Sequence, residues 1–267
     1  MTKEIKALFI DIDGTLYSHH THSVPESAKR ALSALRKKGI PVLVASGRHI
    51  AEIAQMPAVD EMEFDGYVLI NGQCCYNGQK KAVYGQAFDQ AHREVLLRIF
   101  NEKKYPLELA EDDRLLINYI DEEVELAHSM ISTPPPVIDK ASNKAIYMAC
   151  GFPGSKRLEA FEKELGEGFV LTRWRNDALD IIADLDGKMS GIRWFTEQLG
   201  IEEENVMAIG DGFNDVQMIR YAGVGVAMGN SDEETLKYAD YVTADIDEDG
   251  LALALEHYGL IDREDWA

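Results

Sequence analysis

The sequence predicts an α/β fold: a doubly wound parallel sheet of Rossmann-like type carrying an inserted α+β domain. Three observations lead there. Short apolar runs of buried-strand length alternate with helix-period segments, and each run closes on a polar or glycine-containing turn. That rhythm lapses after about residue 82 and resumes at Lys188. The chain of 267 residues is also long enough for one large domain or two smaller ones with buried cores.

The first run, Ile5 to Ile10, reads as a buried strand that breaks into Asp11-Ile12-Asp13-Gly14-Thr15. Such a strand sets its terminal carboxylates at the sheet edge where open parallel sheets bind ligands, and Gly14 lets the backbone turn sharply after them. Asp11 and Asp13 are two positions apart, so on a continuing strand they share one face. A pair of this kind can divide the work, one as nucleophile or metal ligand and the other as acid and base. His19, His20 and His22 follow in a loop; with no fourth ligand nearby, a flexible loop is favoured over a transition-metal site. Ser23-Val24-Pro25-Glu26 has capping-box spacing with an early proline, and Ala28, Ala31, Leu32 and Leu35 form a helical stripe that ends near Gly39. Pro41 to Ala45 is a second strand ending at Ser46-Gly47-Arg48. After a short helix, Tyr67 to Ile70 is a third, ending at Asn71-Gly72.

The middle of the chain mixes its elements. A helix is predicted near Asp89 to Lys104, a strand over Leu115 to Tyr119, and a helix around Glu122 to Met130 before the break Pro134-Pro135-Pro136. A strand over Ala145 to Met148, a helix around Lys156 to Leu165, and strands near Phe169 to Thr172 and Ala178 to Ile182 complete it. The predicted division is therefore 1–82 with 184–267 as one domain and 83–183 as the insertion.

The first rhythm returns with Lys188 just before a helix, Ser190 to Leu199, then the strand Val206 to Ile209 and the loop Gly210-Asp211-Gly212-Phe213-Asn214-Asp215. Val224 to Met228 is another strand, Ser231 and Glu234 have capping-box spacing, and Tyr241 to Thr243 is a short last strand. Asp245, Asp247, Asp249, Gly250 and Glu256 match the ligand positions of a calcium loop. A strand stands where the entering helix is needed, so helix capping is the expectation.

Lys plus Arg number 27 against 47 for Asp plus Glu, a formal net charge of −20. A field of that sign repels nucleic acid and anionic membranes, so the expected partner is a small molecule, and any phosphate on it needs a local cation. The start of the chain has no signal-peptide pattern and no apolar stretch reaches membrane-spanning length, so a cytoplasmic protein is expected, a monomer or weak homodimer. Cys74, Cys75 and Cys150 are odd in number and lack metal-ligand spacing, which reads as buried thiols in a reducing compartment.

Four strand ends thus carry chemistry: Asp11 with Asp13, Ser46, Lys188, and Asp211 with Asp215. Carboxylates from two strand ends are hard oxygen donors that suit Mg²⁺, while a hydroxyl and an ammonium can hold phosphate oxygens. In this order DIDGT, the serine of VASGR, Lys188 and GDGFND resemble the four motifs of the haloacid dehalogenase (HAD) superfamily. Positions 11 and 46 leave no room between them for a domain, whereas 46 and 188 do, which resembles the Cof-type subfamily with its type IIB α+β cap. VLING, GVAMGN and YVT are similar to that subfamily too. One departure is Lys188-Met189 where the family often has Lys-Gly.

The resemblance implies a phosphatase. Asp11 would attack phosphorus to form an aspartyl-phosphate, and Asp13 would protonate the leaving alcohol and then activate water. Ser46 and Lys188 would bind the transferring group, with Asn214 steadying it. Mg²⁺ would be held by the Asp11 carboxylate, the Asp13 carbonyl and Asp211, with Asp215 in support. Gly47, Arg48 and Asn71 lie just past strand ends and are candidates for substrate contact. In the insertion, Trp174 between Arg173 and Arg175 would suit a phosphosugar ring, with Asn143, Lys144 and Asp180 as weaker candidates. Sugar phosphates are the expected substrates. A phosphosugar mutase would use the same motifs, and a receiver-like phospho-acceptor is the non-enzymatic alternative, disfavoured by chain length and by Asp13.

Overall fold

The computed structural model describes residues 4–131, 133–173, 178–183 and 186–267. In chain order its strands are β1 (Ala7–Ile10), β2 (Val42–Ala45), β3 (Gly66–Leu69), β4 (Cys74–Asn77), β5 (Ala82–Gly85), β6 (Leu107–Ala110), β7 (Leu115–Ile117), β8 (Val137–Ile138), β9 (Met148–Gly151), β10 (Val170–Arg173), β11 (Leu179–Ile182), β12 (Val206–Gly210), β13 (Val224–Ala227) and β14 (Tyr241–Val242). They belong to two compact units, one of Met1–Gly47, Met56–Tyr84 and Asp186–Ala267, the other of Arg48–Gln55 and Gly85–Leu185.

The first unit holds a sheet in the order β14-β13-β12-β1-β2-β3-β4-β5. Its strand β1 is parallel to β12 on one side and to β2 on the other, with Phe9 opposite both Ala208 and Leu43. Every residue of β1, β2, β3, β12 and β13 is buried, as in parallel strands covered on both faces. Ile192 and Phe195 of helix Lys188–Leu199 and Met218 and Ile219 of helix Val216–Tyr221 pack on one such face with Phe9, Leu43 and Ala208. The chain leaves β1 toward β2 and β3, then returns on the far side through β12 and β13. The order of strands therefore reverses beside β1, and the carboxyl ends of β1 and β12 flank the crevice where open α/β sheets bind ligands.

The second unit has the order β10-β11-β9-β6-β7-β8, antiparallel except for β7 with β8. Leu96, Ile99 and Phe100 of helix Gln90–Glu102 and Phe161 of helix Leu158–Leu165 cover it, packing on Tyr105, Leu107 and Leu109. The short segment Arg48–Gln55 belongs to this unit. His49 is fully buried; its Nδ1 accepts from the Ala51 amide at 3.1 Å, and its Nε2 donates to the Glu111 carbonyl at 2.8 Å.

Several local expectations are corrected. Helix Glu26–Lys37 starts at Pro25 without a side-chain cap; Ser23 is drawn instead into a bridge with Ser18. Before helix Glu233–Leu236 the cap is Asp232, not Ser231, its charged oxygen accepting from the Glu234 and Thr235 amides. Lys188 is the first residue of its helix. The strand expected over Ala145 to Met148 lies at Met148–Gly151, and β6 has no counterpart among the predicted strands, since four residues after Pro106 carry too short a pattern. In the acidic run Asp245 caps the short turn Ile246–Glu248 by accepting from the Asp247 amide, whereas Asp249, at a left-handed φ of 63°, precedes helix Gly250–His257 without a side-chain cap.

Candidate active site

Asp11 continues β1 and donates its amide to the Ile209 carbonyl of β12 at 3.0 Å, so it stands beside the end of that strand. Lys188 Nζ donates to Asp11 Oδ1 and to Asp215 Oδ1, each at 2.6 Å. All three side chains are buried, Lys188 at 1% exposure. Asp215 Oδ2 in turn accepts from the amides of Asp211 and Gly212, both at 3.0 Å, so this one carboxylate fixes both the lysine and the acidic loop. Asp211 is held from β1's loop, Thr15 Oγ1 donating to its Oδ1 at 2.8 Å. Gly14, at φ +81°, makes that contact possible, because a Cβ there would lie 2.2 Å from Asp211 Oδ2.

On the other side of β1, Ser46 ends β2 and is buried. Its carbonyl accepts the Asn71 amide at 3.1 Å. Ile70 and Asn71 both adopt left-handed φ, 55° and 49°, a costly conformation for residues with a Cβ. That turn presents Asn71 Oδ1 to Asn214 Nδ2 at 3.4 Å, and Gly47 leaves the space, since a Cβ would sit 3.1 Å from the same oxygen. Asp11, Lys188, Asp211 and Asp215 thus come together in one group, with Ser46, Gly47, Asn71 and Asn214 linked to each other beside β1's neighbour. Arg48 belongs to the second unit, where its guanidinium donates to Thr133 Oγ1 at 2.6 Å and to the Ile131 carbonyl at 3.1 Å. Trp174 lies outside the described residues, as does Arg175. Lys144 pairs with Asp113 at the surface, Asn143 is exposed, and Asp180 sits half-buried on β11.

Burial raises the Asp11 carboxyl well above its ordinary pKa; Lys188 opposes this, and Asp215, Asp211 and Asp13 reinforce it. Asp211 is pushed up to about 7, by burial first and then by Asp215. Burial also works against the Lys188 ammonium, but Asp11 and Asp215 more than reverse that and hold it charged. One ammonium among these carboxylates leaves negative charge short of a partner. One ligand oxygen from each of Asp11, Asp211 and Asp215 lies within 4.8 Å of the others, the only such group among the described residues. A hard divalent cation such as Mg²⁺ fits both the oxygen donors and the charge deficit.

Four contacts have no counterpart in the sequence pattern. Thr15 is inside the first motif but its hold on Asp211 is not. Asn230, in GVAMGN, donates to the Gly14 carbonyl at 2.8 Å; an Asn after Gly was its one signal. The histidine loop is pinned: His19 Nε2 lies 2.8 Å from Asp13 Oδ1, and His20 Nδ1 lies 3.2 Å from Asp247 Oδ2.

Residues 8–255 match the haloacid dehalogenase-like hydrolases. The Bacillus subtilis (strain 168) protein named "Putative phosphatase YkrA" is 31% identical over 262 residues, covering 96% of this chain and 98% of its own. Among solved structures, a phosphatase of the haloalkanoate (HAD) enzyme superfamily from Bacteroides thetaiotaomicron is 30% identical with a TM-score of 0.84, over 97% of both chains. A HAD subclass IIB sugar phosphatase is 32% identical with a TM-score of 0.81, over 96% of this chain and all of its own. The chain belongs to the haloacid dehalogenase-like hydrolases, as a phosphatase of the Cof-type, type IIB group. No helix among the described residues is long and apolar enough to cross a membrane.

Proposed function

We propose that this chain is a cytoplasmic, Mg²⁺-dependent phosphomonoesterase of small phosphorylated metabolites, sugar phosphates first among them, working through an aspartyl-phosphate on Asp11. The observation that carries it is the pair of 2.6 Å contacts from Lys188 to Asp11 and Asp215 at the switch point of the sheet. Lys188 holds Asp11 by Oδ1 alone; Oδ2 accepts no hydrogen bond from the described residues and is the oxygen to attack phosphorus. The same ammonium then draws the phosphoryl oxygens, with the buried Ser46 hydroxyl and Asn214 as further donors. Asp13, half-exposed on the turn after β1, gives its proton to the leaving alcohol and later takes one from water. Mg²⁺ would be held by Asp11, the Asp13 carbonyl and Asp211, with Asp215 behind them, and would neutralise charge on the transferring phosphoryl group.

The second unit, with the segment 83–183 at its heart, takes the cap's role of selecting substrate, and Arg48 and Trp174 remain its candidate contacts. The sugar-phosphate assignment rests on likeness to the subclass IIB sugar phosphatase. The compartment reading rests on Cys74, Cys75 and Cys150 as buried thiols. The test is steady-state phosphate release from a hexose phosphate and from p-nitrophenyl phosphate, with Mg²⁺ varied. Turnover that needs Mg²⁺ and drops by at least about 10³-fold in Asp11→Asn supports the reading. Interconversion of hexose phosphate isomers without phosphate release would make the protein a mutase, and one equivalent of phosphorylation without turnover would make it a phospho-acceptor.

A further inference from the structure

His19 is six residues beyond Asp13, yet the loop between them folds back so that the imidazole lies on the Asp13 carboxylate. That fold is built from the backbone upward. The Leu16 and Tyr17 amides donate to the Ile12 carbonyl at 3.0 and 2.7 Å, and the Gly14 amide donates to the Tyr17 carbonyl at 3.0 Å. The Ser18 amide reaches the Ser23 carbonyl at 2.9 Å, closing the far end. Ser18, 1% exposed, uses its hydroxyl to accept from the His20 and Thr21 amides, both at 3.2 Å. The Tyr17 ring meets the His19 ring edge-on, with centroids 5.5 Å apart and planes at 82°. Between these anchors the imidazole has little freedom.

Its polar atoms are used unequally. Nε2 lies 2.8 Å from Asp13 Oδ1, whereas Nδ1 is buried without a hydrogen-bond partner among the described residues. A carboxylate oxygen can only accept, so Nε2 carries the hydrogen and donates it. No second hydrogen bond orients the ring, so the loop's own packing aims it at Asp13. The Asp13 side chain is one-third exposed, and a carboxylate fixed at one oxygen is better placed to meet a leaving oxygen at hydrogen-bond distance.

We infer that His19 is a positioning residue for Asp13, donating to Oδ1 so that the transferred proton is carried by Oδ2. The inference rests on the reading of Asp13 as the acid that protonates the leaving group. In the first step an oxygen of Asp11 forms a new bond to phosphorus while the bond from phosphorus to the leaving oxygen breaks. That oxygen takes both bonding electrons, and Asp13 Oδ2 supplies its proton. His19 neither gains nor loses a proton; it fixes the geometry of the transfer.

The test uses leaving groups that need the proton to different degrees. p-Nitrophenyl phosphate and phenyl phosphate are near-isosteric, but p-nitrophenolate departs readily without a proton and phenolate does not. In kcat/KM, which reports the first phosphoryl transfer, His19→Phe should lose about tenfold or more on phenyl phosphate and less than about threefold on p-nitrophenyl phosphate. His19→Gln, which keeps a donor, should recover most of the loss. Thermal melts verify that the proteins fold, and His19→Leu repeats the measurement if the phenylalanine protein does not. Equal losses on the two substrates, or none, overturn the role of His19. Asp13→Asn is measured beside them. If it shows no preference between the leaving groups, Asp13 itself is not the acid; if it does and the His19 variants do not, only the His19 assignment falls.

Discussion

At the scale of single residues the site is an arrangement of charges that tolerates little change. Among the described residues Lys188 is the one cation touching Asp11 and Asp215, at 2.6 Å to each, and all three are buried. Removing one partner of a buried ion pair leaves the others desolvated and unpaired, at about 3 kcal/mol or more. Lys188→Met should therefore lower the urea midpoint substantially as well as abolish turnover, and adding Asp215→Asn should restore part of the stability but none of the activity. A Gly14→Ala protein separates geometry from charge. Its Cβ would meet Asp211 Oδ2 at 2.2 Å, on a backbone at φ +81° that alanine disfavours. Displacing Asp211 by about an ångström should cost on the order of 10²-fold in kcat/KM, with a smaller loss of stability. The residues of this cluster were legible in the sequence because each sits where an apolar run stops, and a strand end is the one place in a parallel sheet where a carboxylate or ammonium has a use. His19 was not legible, since nothing in a run of histidines says that Ser18 and Tyr17 fold it onto Asp13.

At the scale of elements, the long periodic helices and the buried strands of the first sheet were readable, whereas β6 of the second unit was not. β6 has four residues, Leu107–Ala110, yet it pairs with both β9 and β7 and brings Glu108 against a histidine from helix Glu122–Met130. His128 Nε2 lies 2.5 Å from Glu108 Oε1, and its Nδ1 lies 3.2 Å from the Thr133 carbonyl. Burial lowers the pKa of His128, but the hydrogen bond and charge of Glu108, with Glu52 adding to them, reverse this and leave it raised. Burial keeps Glu108 above the usual carboxylate range despite His128. Because the folded-state pKa of His128 exceeds its unfolded value of about 6.5, its contribution to stability is complete below that pH and is lost as pH rises through the raised value. Above it Glu108 stays buried with a neutral partner, which adds to the loss. The wild type should melt above Glu108→Gln at pH 6, and the gap should close as pH rises through the raised His128 pKa; a gap that grows with pH would contradict the pairing. Capping makes a smaller prediction. Asp232 accepts from two amides of its helix, so Asp232→Ala should cost about 1 kcal/mol, and Ser231→Ala close to nothing.

At the scale of the whole molecule, charge is the dominant feature. The excess of 47 acidic over 27 basic side chains leaves a net −20 even if every cation finds a partner. Many do find one, as in Lys29 with Glu26, Arg36 with Glu63 and Lys104 with Glu164. Exposed pairs of this kind contribute roughly 0–1 kcal/mol each, and salt weakens them. The unpaired carboxylates repel one another over longer distances, a term that favours the expanded chain. Salt acts on both, but not equally. The screening length falls from about 30 Å at 0.01 M to about 8 Å at 0.15 M, which removes repulsion across the surface while leaving contacts of 3 to 4 Å largely in place. The thermal midpoint should therefore rise by several degrees between about 10 and 200 mM NaCl, and KM for a phosphorylated substrate should fall over the same range, because a dianion approaching a surface of like charge is helped by screening. A midpoint that drops with NaCl would mean that the paired charges, not the excess, control the stability of this fold.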